Sequence, residues 1–219
     1  MTEIEACIFD LDGVIVDTAK YHYLAWKRLA KELDFDFSKN DNEQLKGVSR
    51  MTSLDNLLGI GKLSFSQEEK LKLAEKKNFW YVEYITKMTP EEILPGVIEF
   101  INTLRENKIK IALASASKNA VKILNQINMM NYFDVIIDGT KVKEAKPNPE
   151  VFLKSAEELG IEPKYCVVFE DAVAGIQAAI NAQMNNVGIG TSDILTKADY
   201  VMNSFENFNF DQLRKYFIK

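Results

Sequence analysis

The chain has 219 residues, 47% of them hydrophobic, and its 32 acidic against 27 basic side chains leave a formal net charge of -5. That length suits one large domain with a smaller one inserted, and the negative balance provides no overall positive field to gather nucleic acid or an anionic membrane surface. No apolar run approaches the ~20 residues of a membrane span, and the opening Met-Thr-Glu-Ile lacks the basic start of a signal peptide, so the expectation is a cytoplasmic monomer acting on a small solute.

Ala6-Cys7-Ile8-Phe9 is a short apolar run that ends in Asp10-Leu11-Asp12-Gly13. Similar runs recur at 109–114, 135–137, 165–169 and 187–189, each too short for a helix and each expected to be a buried strand. Between them lie segments of helical period at 97–106, 120–130, 149–159 and 175–182. Strands alternating with helices imply a parallel sheet covered on both faces. Asn148-Pro149 is expected to start a helix and Gly160 to end one. The two cysteines, Cys7 and Cys166, fall inside apolar runs with no partner motif and are expected to be reduced core thiols.

From about Thr18 to Met88 the alternation stops. Helical patterns at 21–33 and 68–85 predict a helical insertion after the first strand, giving a core of 1–17 and 89–219 with a cap of 18–88. Thr89-Pro90-Glu91-Glu92 has the form of a capping box on re-entry, and the run 70–77, rich in Lys and Glu, is expected to be a solvated helix face.

Four polar groups follow apolar runs, at the strand ends where open parallel sheets bind ligands. Asp10 and Asp12 are two apart, so an extended backbone would aim both the same way. Ser115-Ala116-Ser117 ends the second run, Lys146-Pro147 precedes a helix, and Glu170-Asp171 ends a later strand. Carboxylates gathered on one rim repel one another unless a cation neutralises them, and a hard dication such as Mg²⁺ beside a phosphate fits oxygen ligands. Lys146 would balance the remaining phosphate charge while Ser115 and backbone N–H groups donate to its oxygens. A carboxylate can attack phosphorus to give an aspartyl-phosphate, and Asp12 could shuttle the proton.

Phe9-Asp10-Leu11-Asp12-Gly13-Val14 with Asp17-Thr18 resembles the first motif of the haloacid dehalogenase-like phosphatases and mutases, and Ser115, Lys146 and Glu170-Asp171 match the other three in order. The resemblance implies a doubly wound, Rossmann-like α/β core with an α-helical cap. It also implies Asp10 as nucleophile, Asp12 as general acid and base, and Mg²⁺ held by Asp10, the Asp12 carbonyl, Glu170 and Asp171. Departures are small: Ala120 and Ala172 stand where relatives often have glycine and serine.

The insertion resembles the caps of that family's sugar-phosphate mutases through Thr18, His22, Trp26, Lys46-Gly47-Val48-Ser49-Arg50, Ser53 and Lys77. A mutase moving phosphate between C1 and C6 of β-glucose passes through β-glucose 1,6-bisphosphate and needs two phosphate sites. The resemblance puts one at Asp10, Ser115, Ala116 and Lys146. The other falls to Arg50 with Ser117, Lys118 and Asn119. His22, the one histidine, is expected to reach Asp12, and Trp26 is equally suited to cap core. The competing expectations are a phosphosugar phosphatase with the same core and a phospho-aspartate receiver domain. The receiver reading fails on motif order and on the presence of a cap.

Overall fold

The computed structural model describes residues 4–45 and 48–217. Its sheet holds β1 (Ala6–Phe9), β2 (Lys110–Ala114), β3 (Val135–Ile137), β4 (Cys166–Glu170), β5 (Asn185–Ile189) and β6 (Tyr200–Met202). All five pairings are parallel, in the order β3-β2-β1-β4-β5-β6. The chain leaves β1 toward β2 and β3, then returns to lay β4 on the other side of β1. That reversal opens a crevice at the carboxyl end of β1, where Asp10 stands.

The strands are short and apolar through their middles because both faces are covered, with polar residues at strand ends such as Lys110, Glu170 and Asn185. Cys7, Phe9, Leu113, Val167 and Phe169 enter one hydrophobic cluster. Their alternate neighbours Ala6, Ile8, Ala112, Ala114, Cys166 and Val168 enter another. Phe9 and Phe169 stack at 4.7 Å, each one residue before an acidic group of the rim, and burying a ring of this size contributes about 1.5–3 kcal/mol. Both cysteines are buried free thiols, with burial pushing Cys7 well up and Cys166 to about 12.

Between β1 and β2 come α1 (Ala19–Glu32), α2 (Lys39–Glu43), α3 (Arg50–Ile60) and α4 (Gln67–Ile85), followed by α5 (Val97–Glu106). The remaining helices are α6 (Ala120–Gln126), α7 (Glu150–Leu159), α8 (Val173–Asn181) and α9 (Phe210–Phe217). Serine caps start three helices of the insertion, at Ser38, Ser49 and Ser66. The two segments joining insertion to sheet pair with each other: Val16 bridges Ile93, and Leu94 N–H donates to the Ile15 carbonyl at 2.9 Å. Tyr21 Oη donates to Glu92, and Lys20 lies 2.6 Å from the same carboxylate.

Several expectations are corrected here. The turn at Pro90–Glu92 is a 3-10 turn, and the Thr89 side chain accepts no backbone bond from it; only the other half of the box forms, with Glu92 accepting the Thr89 N–H while α1 also engages it. Helix α6 stops at Gln126, short of 130. Strand β6 has no counterpart in the sequence reading: three residues at a sheet edge carry too little periodicity. The cap position of α7 falls on Pro149, one residue later than expected, with Asn148 just ahead of it accepting the Glu150 N–H at 3.0 Å, and Gly160 ends α7 with φ 72°. Among the described residues no helix is long and apolar enough to cross a membrane.

Candidate active site

Asp10 follows β1 directly and is buried. Its carboxylate is held on both oxygens: Oδ2 accepts the Asp12 N–H at 2.9 Å, and Oδ1 accepts Lys146 Nζ at 2.5 Å. The Asp12 bond shows that the chain does not continue extended. Leu11 is a bend, and Asp12 lies in a tight turn in which Gly13 N–H donates to the Val16 carbonyl at 2.7 Å. The two carboxylates therefore reach the rim by a turn, not by strand alternation.

Lys146 is buried and uses all three ammonium hydrogens, on Asp10, on Glu170 Oε2 at 2.7 Å and on the Ala114 carbonyl at 3.3 Å. Burial works against its charge, but Asp10 and Glu170 outweigh burial and hold it above the ordinary lysine value. Glu170 ends β4, and its Oε1 accepts the Ala172 N–H at 3.1 Å. Burial raises its carboxyl to about 7 against the pull of Lys146, with Asp10 adding to the rise.

Oxygens of Asp10, Glu170 and Asp171 lie within 4.8 Å of one another. One lysine cannot neutralise three carboxylates at that spacing, and the donors are all hard oxygens with no sulfur or imidazole among them. The set suits a Mg²⁺-sized ion. Two glycines leave room for its carboxylates. A Cβ on Gly13 would overlap the Asp171 carboxylate, and one on Gly175 the Glu170 carboxylate.

Asp12 is half-buried and takes a hydrogen bond from the buried Thr18 hydroxyl. Burial and then Asp10 raise its carboxyl to about 6, against Thr18, Lys146 and Lys77. His22 does not fill the place expected for it: no hydrogen bond joins it to Asp12 among the described residues. Its Nδ1 lies 3.0 Å from Lys77 Nζ, and its ring packs on Tyr81 at 4.2 Å. Burial, Lys77 and Arg50 hold the imidazole well below its usual value.

Lys77 itself is the largest departure from the sequence reading. It is 2% exposed and stands 4.4 Å from the Trp26 ring and 4.7 Å from that of Tyr81. The solvated-face reading holds for neighbours such as Lys72 and Lys76 but not for it. Burial and then Arg50 push its ammonium well down. Arg50 begins α3 half-buried, with burial lowering its value too. Trp26 is buried, and Ser53 donates to the Leu45 carbonyl at 3.2 Å. Val48 is a half-buried bend; Lys46 and Gly47 lie outside the described residues.

The loop after β2 is shaped by its own hydroxyls: Ser115 Oγ accepts Ser117 N–H at 3.0 Å, and Ser117 Oγ accepts Asn119 N–H at 3.2 Å. Lys118 is exposed, Ala116 is half-buried, and Asn119 is buried at the start of α6. Asn119 Nδ2 donates to Asn78 Oδ1 on α4 at 2.9 Å. Neither Asn78 nor Tyr81 was singled out from sequence. Their signal was helical phase, since both lie beside Lys77 and the buried Ala74 and Ile85 on α4.

The family model for haloacid dehalogenase-like hydrolases matches residues 4–183. The β-phosphoglucomutase of Bacillus subtilis is 41% identical over 214 residues, covering 97% of this chain and 95% of its own. A phosphorylated carbohydrates phosphatase of Thermotoga maritima is 31% identical, over 84% of each chain. The crystal structure of β-phosphoglucomutase from Clostridium difficile superposes with a TM-score of 0.93 at 47% identity, covering 98% of this chain and 97% of that one.

Proposed function

The chain belongs to the haloacid dehalogenase-like hydrolase family, and on that premise we propose that it interconverts β-D-glucose 1-phosphate and β-D-glucose 6-phosphate through an aspartyl-phosphate enzyme and β-glucose 1,6-bisphosphate. Asp10 is the nucleophile. Lys146 and the Asp12 N–H hold its carboxylate in place, and Lys146 neutralises charge beside the phosphoryl group. As an Asp10 oxygen bonds phosphorus, the phosphorus–sugar oxygen bond breaks, and Asp12 gives that oxygen its proton. In the return direction Asp12 takes the proton from the incoming sugar hydroxyl. Its raised carboxyl, near 6, suits both duties near neutral pH. Asp10, the Asp12 carbonyl, Glu170 and Asp171 would hold Mg²⁺, which would supply charge neutralisation to the transferring group. Ser115 and the Ala116 N–H complete the cradle.

One observation carries the preference for a mutase over a phosphatase. Besides Lys146, two further cations stand on the helical insertion, Lys77 buried and Arg50 half-buried, each held down by burial. Two burdened cations gain from an anion, and an arginine fork suits a phosphate bidentately. A second phosphate, shared by Arg50 with Ser117, Lys118 and Asn119, gives a bisphosphate somewhere to anchor while its other end faces Asp10. Thr18, His22, Trp26, Val48, Ser53 and Lys77, with Lys46 and Gly47, would line the sugar. Closing the insertion over that sugar would exclude water from the aspartyl-phosphate.

The test is to supply β-glucose 1-phosphate, Mg²⁺ and a trace of glucose 1,6-bisphosphate, then measure glucose 6-phosphate against free phosphate. Glucose 6-phosphate should dominate. Free phosphate in its place would identify a phosphosugar phosphatase.

A further inference from the structure

Asn119 sits at the N-cap of α6, where an asparagine side chain ordinarily accepts a backbone N–H of the first turn. It makes no such cap bond. Its side chain is instead turned toward the helical insertion, buried to 6% exposure, with Nδ2 donating to Asn78 Oδ1. Asn78 is equally out of place locally: it stands within the 19-residue helix α4, where asparagine is a poorer helix former than the lysines around it. Two residues that gain little from their own helices are both accounted for by the bond between them. That bond crosses from the insertion to the loop after β2, on the residue following Lys77.

We propose that Asn78 is a positioning residue of the phosphosugar site, one that ties α4 to the phosphate loop and fixes the amide of Asn119. The inference rests on the phosphosugar reading above and adds a residue to it. With Oδ1 of Asn78 as acceptor, the Asn119 amide must turn its NH₂ group toward the insertion. One hydrogen is used there, and the second is left for a phosphate oxygen. The same bond holds α4, and with it Lys77, against the loop. Substrate that bridges the two parts then binds to a closed arrangement the protein already favours, and less of its binding energy is spent on closure.

The experiment is steady-state kinetics on Asn78→Ala, Asn119→Ala and the double variant with β-glucose 1-phosphate. Alanine favours the helix at position 78, so the variant keeps its fold. Loss of one neutral hydrogen bond should raise KM about fivefold, with kcat changed far less. Because both single variants remove the same bond, the double variant should be less impaired than the product of the two single losses. An unchanged KM, a loss confined to kcat, or strictly multiplicative losses would each overturn the proposal. Should the wild-type protein release phosphate from the sugar phosphate without isomerising it, the mutase reading fails. The KM comparison can then be made on phosphate release and judges Asn78 separately.

Discussion

Asp12 and Gly13 sit side by side in the turn after β1 and should fail in opposite ways. Asp12→Ala removes the carboxyl that moves the proton but not the backbone carbonyl assigned to Mg²⁺. Isothermal titration should find Mg²⁺ still bound, while sugar phosphorylation falls by about 10²–10⁴-fold, the usual worth of a positioned acid and base. Collapse of metal affinity would mean that its role is misassigned. Gly13→Ala should do the reverse. Its φ is 83° and an added Cβ overlaps Asp171, so Mg²⁺ affinity should drop along with stability. Gly160→Ala is the control, because φ is 72° there but the space is open. It should lose about 1–2 kcal/mol to the backbone and leave Mg²⁺ affinity intact. Equal Mg²⁺ affinities in the two variants would sink the packing argument.

At the scale of elements, α7 anchors the loop that delivers Lys146. Glu150 in its first turn accepts the N–H groups of Glu144 and Lys143, at 2.8 and 2.9 Å, and pairs with Lys154 at 2.9 Å. The Glu144 N–H, then Lys154 and the Lys143 N–H, depress its carboxyl from 4.5 to about 2. A depressed acid stabilises the fold in full above its unfolded value and loses that contribution as pH falls through the folded one. Glu150→Gln should therefore unfold at lower urea than wild type at pH 6.5, and the gap should narrow between pH 4.5 and 2. A gap independent of pH would show that the carboxylate charge is not what holds the loop.

For the whole molecule, the decisive feature is a helical insertion carried on two paired segments, Val16 against Ile93 and Ile15 against Leu94. Arg50, on that insertion, lies far from Asp10 in sequence, and the proposed second phosphate is what would join it to the site. Arg50→Ala should lower mutase kcat/KM by roughly 10- to 100-fold, the range for a charge-assisted hydrogen bond or two, and lower hydrolysis of a small phosphate ester far less. Equal loss of both activities would remove the reason to place a second phosphate there.

By itself the sequence determined the α/β alternation, the helical insertion and the acid groups on the rim. Asp10, Ser115 and Glu170 each follow an apolar run, and burial on both faces makes such runs conspicuous; Lys146 was marked instead by the proline after it and the helix it precedes. It did not determine the turn that folds Asp12 back onto Asp10, the edge strand at Tyr200–Met202, or the partners of His22 and Lys77. A lysine in a lysine-rich helix looks solvated until the phase of Ala74, Tyr81 and Ile85 is seen to include it. Which side chain of the insertion meets which of the sheet's loops depends on how the two surfaces pack. That is why the Asn78–Asn119 bond, between residues 41 apart, belonged to the tertiary structure alone.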